Sequence, residues 1–448
     1  MKWRWIGGII SILLLMTALS ANAQGDTPSI AFINSSNQLV VASGDGVTRW
    51  IVTNPGETLK SPLGFTWSPD GRSIFFAVDF GGVASLRVGD IASQSVIEIG
   101  QVGGALSGGE WTPDGSFILV ASNNTLGLYP TNGGNPQGIF QASGNIVLIS
   151  PFADSQPNLP PARSLSPDGN HVFFWQNDAS QGNYAIYGLN SGTLINIPLV
   201  NDANVRQSGL WSDSSPLVAY WGFDGSSILQ VTNAENGQTV SLNSGRSAPI
   251  EPLGWRPGIP QLIYRDVSNF VRIADVSCLS NGCSGNPLDG GVELLPATAS
   301  DVQVSSRGDW VYYRDEEQIK AVNLSCTSNG SCLTSAVVLG DKAAQRTWLH
   351  VGGALLAYTA YVQDPTNPND RETRVVNLTC LSNPSACQPV VISVQAVGGL
   401  VSPDGSYMTI DQAGNGLNVV YVPGSQFIFM SGSFGGQLGA GLTFARWQ

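Results

Sequence analysis

Six cysteines stand in three closely spaced pairs, and thiols at such spacing either oxidise to disulfides or bind a metal ion. The pairs are Cys278/Cys283, Cys326/Cys332 and Cys380/Cys387, in related contexts such as Asp-Val-Ser-Cys-Leu-Ser-Asn. The chain has only two His, and neither lies beside a Cys, which disfavours a zinc-type site. An even number of Cys is typical of disulfides in an exported chain. We therefore predict three local disulfides and no metal site.

Nucleophilic catalysis would require a nucleophile, a base beside it and a group that orients the base. His171 follows a Ser-Pro-Asp-Gly sequence, and His350 lies in a degenerate copy, in place of its Pro-Asp region. Both are therefore predicted to be turn or strand-start residues. Because they belong to different repeats, they assemble no Ser-His-Asp set. We predict no catalytic residues and no cofactor.

The elements that position these residues come from a repeat. Its full form is Trp67-Ser-Pro-Asp-Gly71, with clear copies beginning at Trp111, Leu165 and Val401. Weaker copies follow Trp211, Trp255, Val304 and Trp348, and a half-copy ends at Trp447. These nine anchors are 44 to 54 residues apart, a period typical of propeller blades.

Each repeat also predicts four short strands. A run of β-branched and aromatic residues, such as Ile74-Phe-Phe-Ala-Val78, follows the turn, and two further runs come after it. The stretch before each anchor supplies the fourth strand. No window shows a sustained helical period, so almost no helix is expected. In the turn itself, Pro presets φ, Asp and Ser hydrogen-bond locally, and Gly accepts the fourth position. The Trp before the turn is expected to pack between neighbouring blades.

The motif Trp-Ser-Pro-Asp-Gly followed by a β-rich run resembles the WD40-like repeat of TolB-like propellers, which also occurs in prolyl-oligopeptidase-like enzymes. The resemblance covers essentially the whole chain after residue 23 and implies an all-β, single β-propeller of four-stranded blades, about eight to nine in number. We expect neither the N-terminal α/β domain of TolB nor an α/β-hydrolase domain with a Gly-x-Ser-x-Gly motif. The resemblance indicates the blade type and says little about function.

The two ends of the chain are predicted to share one blade. Ser29–Ile33, 38–41 and 48–52 resemble the second, third and fourth strands of a repeat, whereas 441–447 resembles a lone first strand. Pairing them would hide two sheet edges and close the ring, which gives nine blades. The alternatives are eight blades, if one weak repeat is not a blade, and two smaller propellers.

The innermost strands of a propeller line its channel, and here these are the stretches before each anchor. Their charged residues are Glu110, Arg163, Arg206, Glu251, Asp301, Arg346 and Arg446. Such a ring could bind a peptide, a glycan or an ion. The alternative is that these groups are solvated or paired with one another. Arg265-Asp266 and Arg314-Asp315 end equivalent strands and are predicted to form paired surface turns.

The N-terminus predicts export. Lys2 and Arg4 precede an apolar run, and Ala21-Asn22-Ala23 is a small-x-small cleavage site, so residues 1–23 are predicted to be a signal peptide and 24–448 the propeller domain. The alternative, a membrane anchor, would need a run of about 20 apolar residues, and this one is shorter. Cleavage leaves 18 Lys and Arg against 32 Asp and Glu, a net charge of −14. This charge makes nucleic acid an unsuitable partner.

Two classes of function follow from this organisation. The first is a binding or scaffold module, not an enzyme, that presents loops to a protein or glycan. We expect it to act as a monomer in the periplasm, at the cell surface or in the secreted state, with no membrane span after cleavage. The second is a hydrolase or lyase that acts on polysaccharide or peptide through channel carboxylates at a defined separation.

Overall fold

A computed structural model describes residues 27–447 apart from 61–63, 150–162, 179–180, 198–208, 224–225, 244–249, 329–331, 345–348, 368, 413–415 and 432–444. The described strands form nine four-stranded antiparallel sheets, which are the blades of a β-propeller. The sequence prediction of the fold is therefore confirmed, and the blade count is nine. The predicted signal peptide, residues 1–23, lies outside the described residues.

The blades are numbered by their innermost strand, and the strands by chain order. Blade 1 contains β4 Phe65–Trp67, β5 Ser73–Phe80, β6 Val83–Asp90 and β7 Ser95–Gly103; blade 2 contains β8 Leu106–Trp111, β9 Phe117–Ser122, β10 Thr125–Pro130 and β11 Gln137–Gln141. Blade 3 contains β12 Asn145–Leu148, β13 His171–Asp178, β14 Gln181–Gly188 and β15 Leu194–Ile197; blade 4 contains β16 Leu210–Trp211, β17 Leu217–Phe223, β18 Ser227–Asn233 and β19 Thr239–Asn243.

The second half of the chain continues the pattern. Blade 5 contains β20 Glu251–Trp255, β21 Gln261–Arg265, β22 Val271–Asp275 and β23 Val292–Leu295; blade 6 contains β24 Ala299–Val304, β25 Trp310–Asp315, β26 Gln318–Asn323 and β27 Val337–Gly340. Blade 7 contains β28 His350–Gly352, β29 Leu355–Tyr361, β30 Arg371–Asn377 and β31 Val390–Val394; blade 8 contains β32 Ala396–Val401, β33 Tyr407–Gln412, β34 Gly416–Tyr421 and β35 Gln426–Ser431. Blade 9 contains β36 Ala445–Trp447 with β1 Ser29–Ile33, β2 Leu39–Ser43 and β3 Arg49–Ile51.

The helical content of the described residues consists of short 3-10 segments, as the missing helical period predicted. They are Ser277–Ser280, Leu324–Ser328, Cys332–Thr334, Leu378–Ser382, Pro384–Ala386 and Val422–Gly424. No helix within the described ranges is long and apolar enough to cross a membrane.

Because the strands of each blade are antiparallel, the propeller has two distinct rims. The turn rim carries the connections from first to second and from third to fourth strand. The hairpin rim carries the connections from second to third strand and the crossovers to the next blade.

The Ser-Pro-Asp-Gly turns are held by their own side chains. In blade 1, Ser68 Oγ donates to Asp70 Oδ1 at 2.7 Å and accepts from the amide of Ser73 at 2.9 Å. The amide of Gly71 donates to the carbonyl of Ser68, and Gly71 has a φ of 67°, which L side chains adopt at a cost. The same Asp contact recurs at Thr112, Ser166 and Ser402.

Three anchor Trp residues bind their own blade to the preceding one. Trp111 Nε1 donates to the carbonyl of Thr66, Trp211 Nε1 to Ser164 and Trp255 Nε1 to Leu210, at 2.8 to 3.1 Å. Each indole is buried in an apolar cluster that spans two blades. The hydrophobic core thus lies between blades, as predicted for the Trp positions.

Blade 9 combines strands from both ends of the described chain. Strand β36 pairs with β1 through Phe32 with Ala445 and Ile30 with Trp447. Trp447 Nε1 donates to the carbonyl of Leu400 in blade 8 at 2.9 Å. This is the pairing that the shared-blade hypothesis requires. Closure of the ring through it stays a prediction, which a truncation tests below.

Blade 7 departs from the predicted repeat. His350 is not in the turn, as the alignment on Trp348 implied, but begins the innermost strand and pairs with Ala357. Its partner lies seven positions later, as Ile74 does for Trp67, so His350 itself occupies the anchor position and no residue is missing. Pairing continues to Gly352 with Leu355, which leaves Gly353-Ala354 as a tight turn. The strand-start prediction for His350 is therefore confirmed, whereas its placement in the turn region was wrong by two residues.

Candidate functional site

Glu110 is the channel residue with the most unusual environment. It lies in the innermost strand of blade 2, and its Oε2 accepts hydrogen bonds from the amides of Ser164 and Leu165 in blade 3, at 2.9 and 3.2 Å. Desolvation by burial raises the pKa of Glu110 to about 7, although Arg163 and the two amides favour the charged form. The side chain therefore connects two blades and titrates near neutral pH.

Glu251 and Asp301 occupy the innermost strands of blades 5 and 6 and are paired within their own blades. Arg265 Nε lies 3.3 Å from Glu251 Oε1, and Arg314 Nε lies 2.8 Å from Asp301 Oδ2. Arg265 and Arg314 each come from the second strand of the blade that contains their carboxylate partner. Each of these carboxylates is thus paired with an Arg on the adjacent strand of its own blade.

Of the four remaining predicted channel residues, two are described by the structure and two are not. Arg163 is exposed, and its amide donates to the carbonyl of Gly209 at 3.2 Å. Arg446 is described through its backbone, which pairs with Ala31. Arg206 and Arg346 lie outside the described residues.

The expected surface turn at Arg265-Asp266 is paired but buried. Arg265 also donates to the carbonyls of Asn269 and Ala299, and both Arg265 and Asp266 are under a tenth exposed. Asp266 pairs with Arg272, which also contacts Glu293. The prediction of pairing is confirmed, whereas the surface location was wrong. Sequence reasoning missed Arg272 and Glu293, although they lie opposite each other on adjacent strands.

The two His residues occupy structural positions. His350 Nδ1 accepts a hydrogen bond from the amide of Val401 in blade 8 at 3.1 Å, and burial lowers the pKa of His350 to about 4. His171 begins β13 and stacks on Trp211 with ring centroids 6.4 Å apart. Among the described residues, no group of three or more His, Cys, Asp or Glu is placed to hold a metal ion. All three predicted disulfides are formed.

The two rims differ in which connections repeat. On the turn rim, the connection from first to second strand repeats one motif in four blades, at 68–71, 112–115, 166–169 and 402–405, whereas the connections from third to fourth strand vary and include the three disulfide loops. The hairpin rim has a different connection in each described blade: Gly81-Gly82, Asn123-Asn124, 266–270, Glu316-Glu317 and 362–370 are examples. Phe80, beside the Gly81-Gly82 hairpin, is 68% exposed, and Val47 on the turn rim is 83% exposed.

Comparisons with known proteins bear on the fold. No model of a known protein family matches the sequence, nor does any curated protein. Dipeptidyl peptidase 4 from Porphyromonas gingivalis is similar in structure, with a TM-score of 0.51 and 11% identity over 90% of this chain and 57% of that chain. TolB from Acinetobacter baumannii has a TM-score of 0.32 and 17% identity over 52% of this chain and 67% of that chain. A prolyl endopeptidase has a TM-score of 0.41 and 13% identity over 90% of this chain and 60% of that chain.

The likeness to the dipeptidyl peptidase supports the fold and does not extend to activity. The chain spans little more than half of the dipeptidyl peptidase. The repeats are β-propeller blades, as the TolB-like resemblance implied, and TolB and other propeller proteins are among the similar solved structures. A shared fold does not determine a shared function.

Proposed function

We propose that the protein is an exported β-propeller that acts as a binding or scaffold module of the cell envelope or the extracellular space, with a protein as its partner. The observation that carries the proposal is the engagement of the three described channel carboxylates. Glu110 accepts two backbone amides, Glu251 pairs with Arg265, and Asp301 pairs with Arg314. Glycoside hydrolysis needs two carboxylates that flank one scissile bond, whereas each of these three is held by a different partner.

The hairpin rim is the better candidate for the binding surface. Binding surfaces use loops that differ from one another on a rigid scaffold, because identical loops present no distinctive pattern. On the turn rim four blades repeat one turn between their first and second strands, whereas the sequences of the second-to-third-strand hairpins differ from blade to blade. Phe80, Val83 and Val267 also place exposed apolar groups at this rim. Apolar anchors surrounded by polar groups are typical of protein interfaces.

The alternative function, a hydrolase or lyase, is favoured by one observation. A carboxyl group with a pKa of about 7 is well matched to general acid–base catalysis near neutral pH, and Glu110 has this property. Purified wild-type protein, Glu110→Gln and Asp301→Asn should therefore be assayed on panels of polysaccharides and peptides. We expect no turnover from any of them. Turnover that Glu110→Gln abolishes would support the enzyme and contradict the proposal.

The binding function has its own test. The protein expressed without residues 1–23 is immobilised and used to capture proteins from an envelope extract, and each candidate is then purified and titrated against it. A glycan array is probed in parallel. We expect saturable binding to one purified protein. Binding to glycans alone would contradict a protein partner.

A further inference from the structure

The three disulfides lie in equivalent loops, between the third and fourth strands of blades 5, 6 and 7. Such a loop could simply shorten the connection within its own blade. However, each of the three loops also contacts the outer part of the preceding blade, so its role extends beyond its own blade.

The loop of blade 5 is attached to blade 4 by hydrogen bonds and apolar packing. The carbonyl of Leu279 accepts from Asn233 Nδ2 at 3.3 Å and from Asn236 Nδ2 at 3.1 Å. Asn286 Nδ2 donates to the carbonyl of Ser241 in the outermost strand β19 at 2.8 Å. The Leu279 side chain is 1% exposed and belongs to the apolar cluster that contains the core of blade 4.

The loop of blade 6 packs its cysteines into the apolar cluster between blades 5 and 6. Cys326 and Cys332 are 7% and 1% exposed and pack in one cluster with Ile273 and Leu294 of blade 5. The 3-10 segment Cys332–Thr334 lies beside β23, the outermost strand of blade 5.

The loop of blade 7 repeats this arrangement one blade further. Cys387 is 7% exposed and shares a cluster with Ile319 and Leu339 of blade 6. The 3-10 segment Pro384–Ala386 lies beside β27, the outermost strand of that blade.

We propose that each disulfide loop is a clamp that holds its own blade against the outermost strand of the preceding blade, and that the clamp between blades 4 and 5 is redox-sensitive. The three clamps bind blades 4 to 7 into one braced block. In Cys278–Cys283 both Cys are only partly buried. In each of the other two disulfides at least one Cys is buried, namely Cys326, Cys332 and Cys387. A groove of about 530 Å³, lined by Thr239, Ser241, Gly282, Cys283 and Asn286, gives access to it.

Opening this clamp requires a thiol reductant. A thiolate attacks one sulfur of Cys278–Cys283 and displaces the other Cys as a thiolate, which takes up a proton. A second thiol resolves the mixed disulfide, so that two thiols supply two electrons and leave as their own disulfide. The loop is then free to leave the edge of β19.

Hydrogen exchange tests the clamps, with the three disulfides serving as controls for one another. Cys278→Ala/Cys283→Ala should increase exchange in β19, Cys326→Ala/Cys332→Ala in β23, and Cys380→Ala/Cys387→Ala in β27. We expect an increase of roughly tenfold or more at the strand of the preceding blade, and less than about twofold at the other two strands. Each variant keeps two disulfides, and a circular dichroism spectrum matching wild type confirms that it is folded.

Two results would overturn the proposal. One is exchange that rises only within the altered loop, which would make the disulfide a local staple. The other is exchange that rises equally in all blades, which would indicate general destabilisation.

Graded reduction tests the redox sensitivity separately. Native wild-type protein is treated with increasing concentrations of a small thiol, alkylated and mapped by mass spectrometry. Cys278 and Cys283 should be alkylated first, together with the rise of exchange in β19. Alkylation of Cys326 and Cys332 before Cys278 and Cys283 would contradict the redox-sensitive clamp.

Discussion

The Glu110 carboxyl should make the folded protein less stable as the pH rises from about 4.5 to about 7. Its pKa is raised from 4.5 to about 7 by desolvation, so between these values the folded state holds a proton that the unfolded state has lost. Stability then falls as pH increases, because the unfolded state binds fewer protons. A shift of about 2.5 units corresponds to about 3 kcal/mol at most.

Glu110→Gln isolates this effect. Gln does not titrate, and its carbonyl oxygen can still accept from the amides of Ser164 and Leu165. The difference in unfolding free energy, wild type minus variant, should fall by up to about 3 kcal/mol between pH 4.5 and 7 in urea denaturation. Arg163→Ala should enlarge the fall, since Arg163 favours the charged carboxylate. A difference that is constant with pH, or that grows in favour of wild type, would refute the reasoning.

The His350 imidazole should make the folded protein more stable as pH rises, over a pH range that overlaps the range of Glu110. Its pKa is lowered from 6.5 to about 4, so the folded state holds fewer protons between these values and gains stability as pH rises. Protonation of Nδ1 would also replace the acceptor of the Val401 amide by a donor. Because the two contributions have opposite signs, together they should leave the unfolding free energy of the wild type nearly constant between about pH 4.5 and 6.5. His350→Asn should remove the rising contribution and reveal the fall caused by Glu110.

Three further predictions concern the blade contacts and the N-terminus. Deletion of residues 440–448 removes β36 and the Trp447 bond to Leu400, so it should cost several kcal/mol if the shared blade closes the ring; an unchanged melting temperature would refute closure. Trp255→Phe leaves the buried carbonyl of Leu210 without its indole donor and should lower the unfolding free energy by about 1–3 kcal/mol in urea denaturation. Cleavage should occur after Ala23, so that N-terminal sequencing of secreted protein begins at Gln24; a sequence beginning at Met1 would contradict export by this signal.

The fold followed from the sequence wherever the repeat is intact. Ser-Pro-Asp-Gly can form few structures other than a tight turn, and the Trp before it needs a buried site with an acceptor for its indole. These local preferences placed the strands and the blade count. In blade 7 the repeat placed the anchor two residues too early, because Trp348 lies close to the anchor position that His350 occupies.

The environment of the channel carboxylates was less predictable than the fold, because some of their partners lie far away in the sequence. Glu110 meets the amides of Ser164 and Leu165 only through the contact of blades 2 and 3, which no local pattern encodes. The pair of Glu251 with Arg265 carried a usable signal, since the two residues lie opposite each other across one turn. Opposite charges at paired strand positions therefore predict an ion pair within one blade.

The claim that the hairpin rim binds a protein is tested most directly by one titration. The purified partner is titrated calorimetrically against wild type, Phe80→Ser on the hairpin rim and Val47→Ser on the turn rim. Both side chains are more than half exposed, so neither change opens a cavity in the core. We predict that Phe80→Ser weakens binding by about tenfold or more and that Val47→Ser changes it by less than about twofold. Weakening by Val47→Ser with no effect of Phe80→Ser would contradict the account.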